Sequence, residues 1–243
     1  MVILEIDYKT QERNYKFMKY EILLFDVDNT LLDFDANEAE SFKNTMIDKG
    51  EDYSEELYEA YKEMNHEMWK AVEREEMTID EVVNTRFSKL MSKYGKEVDG
   101  IEYENIYRSY LNRGMQEMPY VHEVLSELKK KYKLYVITNG INETQEYRMN
   151  GSGLIDYFEK CFVSEKIGAN KPSKIFFDYV KNNINDFDSS KALVIGDSLT
   201  SDIKGGNLAG IDTCWMCKKG TINDTDIKPT YIINSLKELN NIL

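Results

Sequence analysis

The stretch Glu21-Ile22-Leu23-Leu24-Phe25-Asp26-Val27-Asp28-Asn29-Thr30 decides the fold. A short apolar run of the kind found in buried parallel strands ends abruptly in two carboxylates one residue apart. Asp26 and Asp28 therefore fall at the carboxyl end of a strand, where open α/β sheets place their ligands. In extended chain, alternate side chains share a face, so both acids face one pocket. Such a pair suits a hard cation such as Mg²⁺, which takes carboxylate, carbonyl and water oxygens. It also offers a carboxylate nucleophile to a phosphorus centre. Alone, an Asp-x-Asp is more often an acidic turn, so the reading depends on what lies downstream.

From Pro119 onward, strand-like and helix-like segments alternate. Pro119 is expected at the first position of a helix carrying Val121, Val124, Leu125 and Leu128. Strands are expected over 134–138, 161–164, 192–195, 211–216 and 230–233. Helices are expected over 142–150, 173–183, 202–208 and 236–243. That alternation implies a parallel sheet covered on both faces, to which the strand at 22–26 also belongs.

Between 36 and 111 no strand pattern occurs. A helix over 36–49 is expected to stop at Gly50, and Ser54 caps a second, with Glu55 and Glu56 near its N-terminus. Leu57, Tyr61, Met64, Met68 and Val72 form one apolar stripe along it. Thr78-Ile79-Asp80-Glu81 is a capping box for a third helix ending near Gly95, and a fourth runs from about Glu102 to Asn112. The expected organisation is an N-terminal extension over 1–19, a core over 20–35 and 112–243, and an all-helical insertion over 36–111. Met18 followed by Lys19-Tyr20 has the character of a chain start, so the extension is expected to be poorly ordered or to arise from an upstream start codon.

The 243 residues suffice for a sizeable core with an insertion, and the 42% hydrophobic fraction is that of a globular protein. A formal net charge of -13 argues against a nucleic-acid polymer as partner. No apolar run has membrane-spanning length and no signal-peptide core is present, so no membrane partner is expected. Cys214 and Cys217 have the spacing of a redox motif but fall within a strand pattern rather than at a helix start. A zinc site would need two more ligands, and only Cys161, His66 and His122 remain as Cys/His candidates. The cysteines are read as reduced structural thiols of a cytoplasmic protein. The two histidines receive no role.

Three further strand ends carry groups suited to phosphate chemistry. Thr138-Asn139-Gly140 offers a hydroxyl and an amide beside a permissive glycine. Lys171, in Asn170-Lys171-Pro172, precedes a helix. Gly196-Asp197-Ser198-Leu199-Thr200-Ser201-Asp202 adds two acids. Singly these are a capped turn, a solvated lysine and an acidic loop; the ordered set is what carries information.

That set resembles the four motifs of the haloacid dehalogenase (HAD) superfamily over roughly residues 19–243. The helical insertion resembles that superfamily's type 1 cap. The stretches 163–172 and 196–203 are similar to the YjjG/YfnB-type subgroup, which contains pyrimidine nucleotide 5′-phosphatases. N-acylneuraminate-9-phosphatases are related. The resemblance implies that Asp26 is the nucleophile and Asp28 the general acid and base. It implies that Thr138, the amide of Asn139 and Lys171 hold the phosphoryl oxygens. Mg²⁺ would be bound by Asp26, the Asp28 carbonyl and Asp197, with Asp202 in support. The expected substrate is a small phosphorylated metabolite, a pyrimidine nucleoside 5′-monophosphate first and a sugar phosphate as the alternative, acted on by a monomer or homodimer.

Rival members of the same superfamily differ at these positions. A dehalogenase typically carries tyrosine in place of the second acid, and a phosphonatase carries alanine there. A β-phosphoglucomutase keeps both acids and stays open, as does a silent binding protein on the same scaffold. Trp69, Tyr107 and Tyr110 in the insertion are candidates for stacking on a base, with core packing the commoner use.

Overall fold

The computed structural model describes residues 19–243; the proposed N-terminal extension and the strand-like Val2–Ile6 within it lie almost wholly outside the described residues. Six strands form one fully parallel sheet: β1 (Ile22–Phe25), β2 (Lys133–Thr138), β3 (Lys160–Val163), β4 (Ala192–Gly196), β5 (Asp212–Met216) and β6 (Tyr231–Ile233). Their order is β3-β2-β1-β4-β5-β6. β1 sits at the centre, pairing Leu24 with Tyr135 on one side and with Val194 on the other. The chain leaves β1 toward β2 and later returns to the opposite side at β4, which opens a crevice at the carboxyl ends of these strands.

Strand alternation sorts the core into two layers. Leu23, Phe25, Val136, Leu193 and Ile195 face α5 (Val121–Leu128) and the turn Leu236–Asn241. Ile22, Leu24, Ile137 and Val194 face Phe176, Phe177 and Val180 of α8 (Lys174–Asn182). Each such side chain, fully buried, contributes ~1.5–3 kcal/mol from water exclusion.

Between β1 and α5 come four helices: α1 (Phe34–Asp48), α2 (Glu55–Glu73), α3 (Ile79–Lys93) and α4 (Gly100–Leu111). They share an apolar cluster of their own, in which Phe42 stacks on Tyr61 at 4.5 Å between ring centroids and Phe87 meets Tyr107 edge-on at 5.3 Å. Their N-termini are capped by Asp33, Ser54, Thr78 and Asp99, with Thr78 and Glu81 closing the expected capping box. Beneath the aromatic cluster, Arg86 makes a two-pronged contact with Glu104, both bonds 2.8 Å, and both residues are buried.

Several local expectations are corrected. Pro119 is not the first residue of a helix: Tyr120 adopts a left-handed conformation (φ 68°) and α5 starts at Val121. The final segment is a 3₁₀ helix ending at Asn241 rather than an α-helix to Leu243; its two buried residues, Leu236 and Leu239, are three apart, which is the 3₁₀ repeat. The helical segment begins earlier than the expected 202–208, as a wide π turn, Leu199–Ile203, that runs into α9 (Lys204–Leu208). α1 begins at Phe34 because Asp33 caps it, and α4 at Gly100 because Asp99 does. α6 (Asn142–Gly151) follows β2, and one helical turn, α7 (Ser164–Ile167), follows β3 without a sequence signal for it. Among the described residues, no helix is long and apolar enough to cross a membrane.

Candidate active site

Asp26 leaves the end of β1 with its amide still bonded to Ile195 of β4 at 2.9 Å, so the sheet fixes its backbone. The next residues fold into a tight turn in which Leu31 and Leu32 donate to the Val27 carbonyl. Asn29 adopts a left-handed conformation (φ 57°), which asparagine tolerates better than most residues. The turn presents Asp28, half-buried, beside the buried Asp26.

Lys171 reaches this point from the segment before α8. Its ammonium donates to Asp26 Oδ1 at 2.6 Å, Asp202 Oδ1 at 2.6 Å and the Ile137 carbonyl at 2.9 Å. All three donors of the ammonium are thereby used in a fully buried position. Burial alone would lower the Lys171 pKa, but the carboxylates of Asp202 and Asp26 outweigh it and hold the ammonium above its ordinary range. Asn139 locks the lysine's backbone in a reciprocal pair: its Nδ2 donates to the Lys171 carbonyl (2.9 Å) and its Oδ1 accepts from the Lys171 amide (2.8 Å). The Lys171–Pro172 peptide is cis.

Thr138 ends β2. Its hydroxyl oxygen accepts from the Gly140 amide at 3.0 Å and from Gln145 Nε2 at 3.1 Å, which leaves the hydroxyl proton to donate into the cleft. After β4, Asp202 accepts from Lys171 and, through Oδ2, from the Ser198 amide at 3.1 Å. Gly196 makes room for it, since a Cβ there would lie 2.2 Å from Asp202 Oδ2.

The carboxylate of Asp197 meets no hydrogen-bond donor among the described residues; only its backbone carbonyl is engaged, by Trp215 Nε1 at 2.7 Å. Ligand oxygens of Asp26, Asp197 and Asp202 all lie within 4.8 Å of one another. Burial, with Lys171 pulling the other way, pushes the Asp26 carboxyl up to about 7, and burial followed by the charge of Asp26 raises Asp197 well above the carboxylate range. With all four acids ionised, as a bound cation would favour, the carboxylates outnumber Lys171 and Arg148 by two charges, and the donor set is all oxygen. This fits a divalent hard cation.

The sequence-predicted residues Asp26, Asp28, Thr138, Asn139, Lys171, Asp197 and Asp202 therefore converge on one cleft of about 520 Å³ between the sheet edge and the helical insertion. Its size is that of a small-molecule site. Trp69 and His66, from one face of α2, line the same cleft, so the histidine that the sequence left without a role lies at the site, and partial desolvation there lowers its pKa. Tyr107 is instead buried among the insertion's aromatic rings, and Tyr110 bonds Asp48 at 2.6 Å, outside the cleft. His122 bonds Tyr157 and Glu117 elsewhere. The three cysteines are free thiols, with Cys214 buried under the sheet.

Residues that the sequence did not single out complete the surroundings. Gln145 and Arg148 of α6 both bond the Asp28 carboxylate. Contacts that join the insertion to the sheet side include Arg108, which donates to Thr144 Oγ1 (3.1 Å), Thr200, which donates to Glu73 Oε2 (2.7 Å), and Gln116, which donates to Glu40 Oε2 (2.8 Å). A polar i, i+3 pair in the helix directly after Thr138-Asn139-Gly140 was the signal available for Gln145 and Arg148. Glu73 and Thr200 carried none, being distant in sequence.

A parallel sheet with two acids at the end of its central strand, a buried lysine and a carboxylate cluster defines a HAD-type hydrolase. Residues 23–216 match the haloacid dehalogenase-like hydrolase family, and the chain belongs to it. The HAD-hydrolase YfnB of Bacillus subtilis is 45% identical over 225 residues, covering 93% of this chain and 96% of that one. Its crystal structure bound to magnesium, which reveals interdomain movement, superposes with a TM-score of 0.88 over 93% of this chain and 99% of that one. The pyrimidine 5′-nucleotidase PynA of Streptococcus pneumoniae is 40% identical, covering 91% and 94% of the two chains. The pyrimidine 5′-nucleotidase YjjG of Escherichia coli is 29% identical, covering 93% and 99%.

Proposed function

We propose that this protein is a Mg²⁺-dependent phosphomonoester hydrolase that works through an aspartyl-phosphate, with nucleoside 5′-monophosphates, pyrimidine ones first, as substrates. The observation that carries the reading is the Asp26 carboxylate, immobilised by Lys171 at the closed end of the cleft next to the unpartnered Asp197. The kinship with two pyrimidine 5′-nucleotidases supports the substrate class.

In this reading Asp26 attacks the phosphorus, the P–O bond to the leaving group breaks, and Asp28 gives its proton to the departing alkoxide. Asp28 then takes a proton from water as that water attacks the phosphoaspartate, which releases phosphate and restores the Asp26 carboxylate. The Thr138 hydroxyl and the Asn139 amide donate to the phosphoryl oxygens, and Lys171, its three donors engaged, offsets their charge through space. The carboxylates of Asp26 and Asp197 and the Asp28 carbonyl would hold Mg²⁺, with Asp202 steadying Lys171 and the loop beside them. Bound there, the cation neutralises the acids and the phosphate dianion that must approach each other. Residues 36–111 act as a cap that closes the cleft and contacts the leaving group, and the protein works in the cytoplasm.

The test is phosphate release from a panel of nucleoside monophosphates, sugar phosphates and N-acylneuraminate 9-phosphate, with Mg²⁺ or with EDTA. Release that needs Mg²⁺ and is fastest with pyrimidine nucleotides is expected. A sugar phosphate as best substrate overturns the substrate class. No metal-dependent release from any compound overturns the reaction.

A further inference from the structure

Asp28 is the acid that meets the leaving group in the reading above, yet nothing in its own turn holds its carboxylate. Two side chains from α6 do. Gln145 Nε2 donates to Asp28 Oδ2 at 2.7 Å, and Arg148 Nη1 forms an ion pair with Asp28 Oδ1. Arg148 is 0% exposed and Gln145 4%.

The pair is internally consistent. Arg148 Nη1 also donates to Gln145 Oε1 at 3.3 Å. A guanidinium can only donate, so the amide oxygen of Gln145 must face it and the amide nitrogen must face Asp28. That same nitrogen donates to Thr138 Oγ1. Gln145 thereby ties the acid of the β1 turn to the hydroxyl that ends β2. Gly140 permits the approach, since a Cβ there would lie 2.1 Å from Gln145 Nε2.

A fully buried arginine is an expensive way to attach a helix. Its Nε reaches only the Gly114 carbonyl at 3.3 Å, and its Nη2 has no partner. An apolar side chain of similar volume would pack α6 without leaving a buried donor unpaired. The cost is understandable where the charge serves Asp28. The clamp also touches the insertion: Arg108 of α4 bonds Thr144, the neighbour of Gln145.

We propose that Gln145 and Arg148 are positioning residues that hold the Asp28 carboxylate where it exchanges a proton with the leaving group, an inference that rests on the phosphatase reading. Holding both oxygens selects one side-chain orientation out of several. A general acid works only within hydrogen-bond reach of the atom it protonates.

The test compares two leaving groups. A nucleoside monophosphate expels an alkoxide, which needs a proton; p-nitrophenyl phosphate expels a nitrophenolate, which does not. The proteins are wild type, Arg148→Met and Gln145→Met, with folding checked by circular dichroism and thermal unfolding. The first turnover is measured by rapid quench so that the phosphoryl-transfer step is seen alone. Arg148→Met is expected to slow nucleotide cleavage about a hundredfold, the scale of general acid catalysis. It should slow first-turnover nitrophenolate release far less, with little change in KM for either. Gln145→Met, a near-isosteric swap, should show the same selectivity to a smaller extent, and carries the test if Arg148→Met does not fold. Equal slowing with both substrates, or none, overturns the positioning role. Failure of wild type to hydrolyse either substrate overturns the phosphatase reading instead.

Discussion

Lys171 Nζ stands 2.6 Å from Asp26 Oδ1 and 2.6 Å from Asp202 Oδ1, a buried cation bridging the nucleophile of the proposed reaction and the acid of the turn after β4. Removing it in Lys171→Met leaves two buried carboxylates facing each other. Breaking such a pair costs about 3–5 kcal/mol when the remaining charges stay. The loss measured by urea unfolding without metal should be greater at pH 8 than at pH 5.5, because at the lower pH Asp26 can relieve it by taking a proton. Phosphatase activity should fall at least a hundredfold, as when one preorganised donor is removed from a transition state.

Metal and pH should be linked through the same acids. The Asp26 carboxyl, pushed up to about 7, and the raised Asp197 carboxyl hold protons in the folded metal-free protein that the unfolded chain has already lost. The Asp26 contribution to stability is fully present below the ordinary carboxylate pKa and is lost as pH rises through about 7, and that of Asp197 is lost above the ordinary carboxylate range. The melting temperature without metal should therefore drop between pH 5.5 and pH 8. Added Mg²⁺ should raise it more at pH 8, where the Asp26 carboxyl is ionised. A Mg²⁺ effect independent of pH would speak against these carboxylates as the binding site.

Trp69 and Tyr107 should separate binding from packing. Trp69 is half-buried and lines the cleft, so Trp69→Ala should raise KM for nucleoside monophosphates about fivefold or more if a base stacks on it, stacking being worth ~1–3 kcal/mol per base. KM for glycerol phosphate, which has no ring, should hardly change. Tyr107 is fully buried against Tyr61 and Phe87, so Tyr107→Ala should lower stability by about 3–5 kcal/mol. Steady-state kinetics and urea melts on the two variants check both outcomes.

Gly196→Ala tests the support around Lys171. The added methyl group would meet the Asp202 carboxylate, forcing the side chain away from the lysine. An activity loss of about 10–100-fold is expected, the usual effect of disturbing groups that orient a metal site. The overpacking should cost ~1–3 kcal/mol in a thermal melt.

The sheet was legible because its strands are short apolar runs that end in polar groups. β1, β2 and β4 each announce both their burial and their ligand-facing end. The residues at those ends could be read for the same reason, since parallel strands bring their carboxyl ends to one edge whatever the sequence distance between them. Tyr120 was not legible: its left-handed conformation displaces the start of α5, and a proline next to it suggests a helix start instead. The π turn Leu199–Ile203 was not legible: its last two residues were read as the start of a plain helix over 202–208, from which a π turn differs by one backbone bond that composition does not encode. Arg148 and Gln145 were missed because their partner, Asp28, is more than a hundred residues away and helix α6 has too few apolar residues to indicate its buried face.

The most direct test of the account asks where the phosphoryl group goes. Wild-type protein is mixed with nucleoside monophosphate and Mg²⁺ and quenched in acid within the first turnover. Its intact mass is then measured and the modified peptide mapped. The account predicts one added phosphoryl group on the peptide carrying Asp26, absent in Asp26→Asn and absent with EDTA. Steady hydrolysis with no phosphoryl adduct at any quench time, or an adduct on another residue, would contradict it.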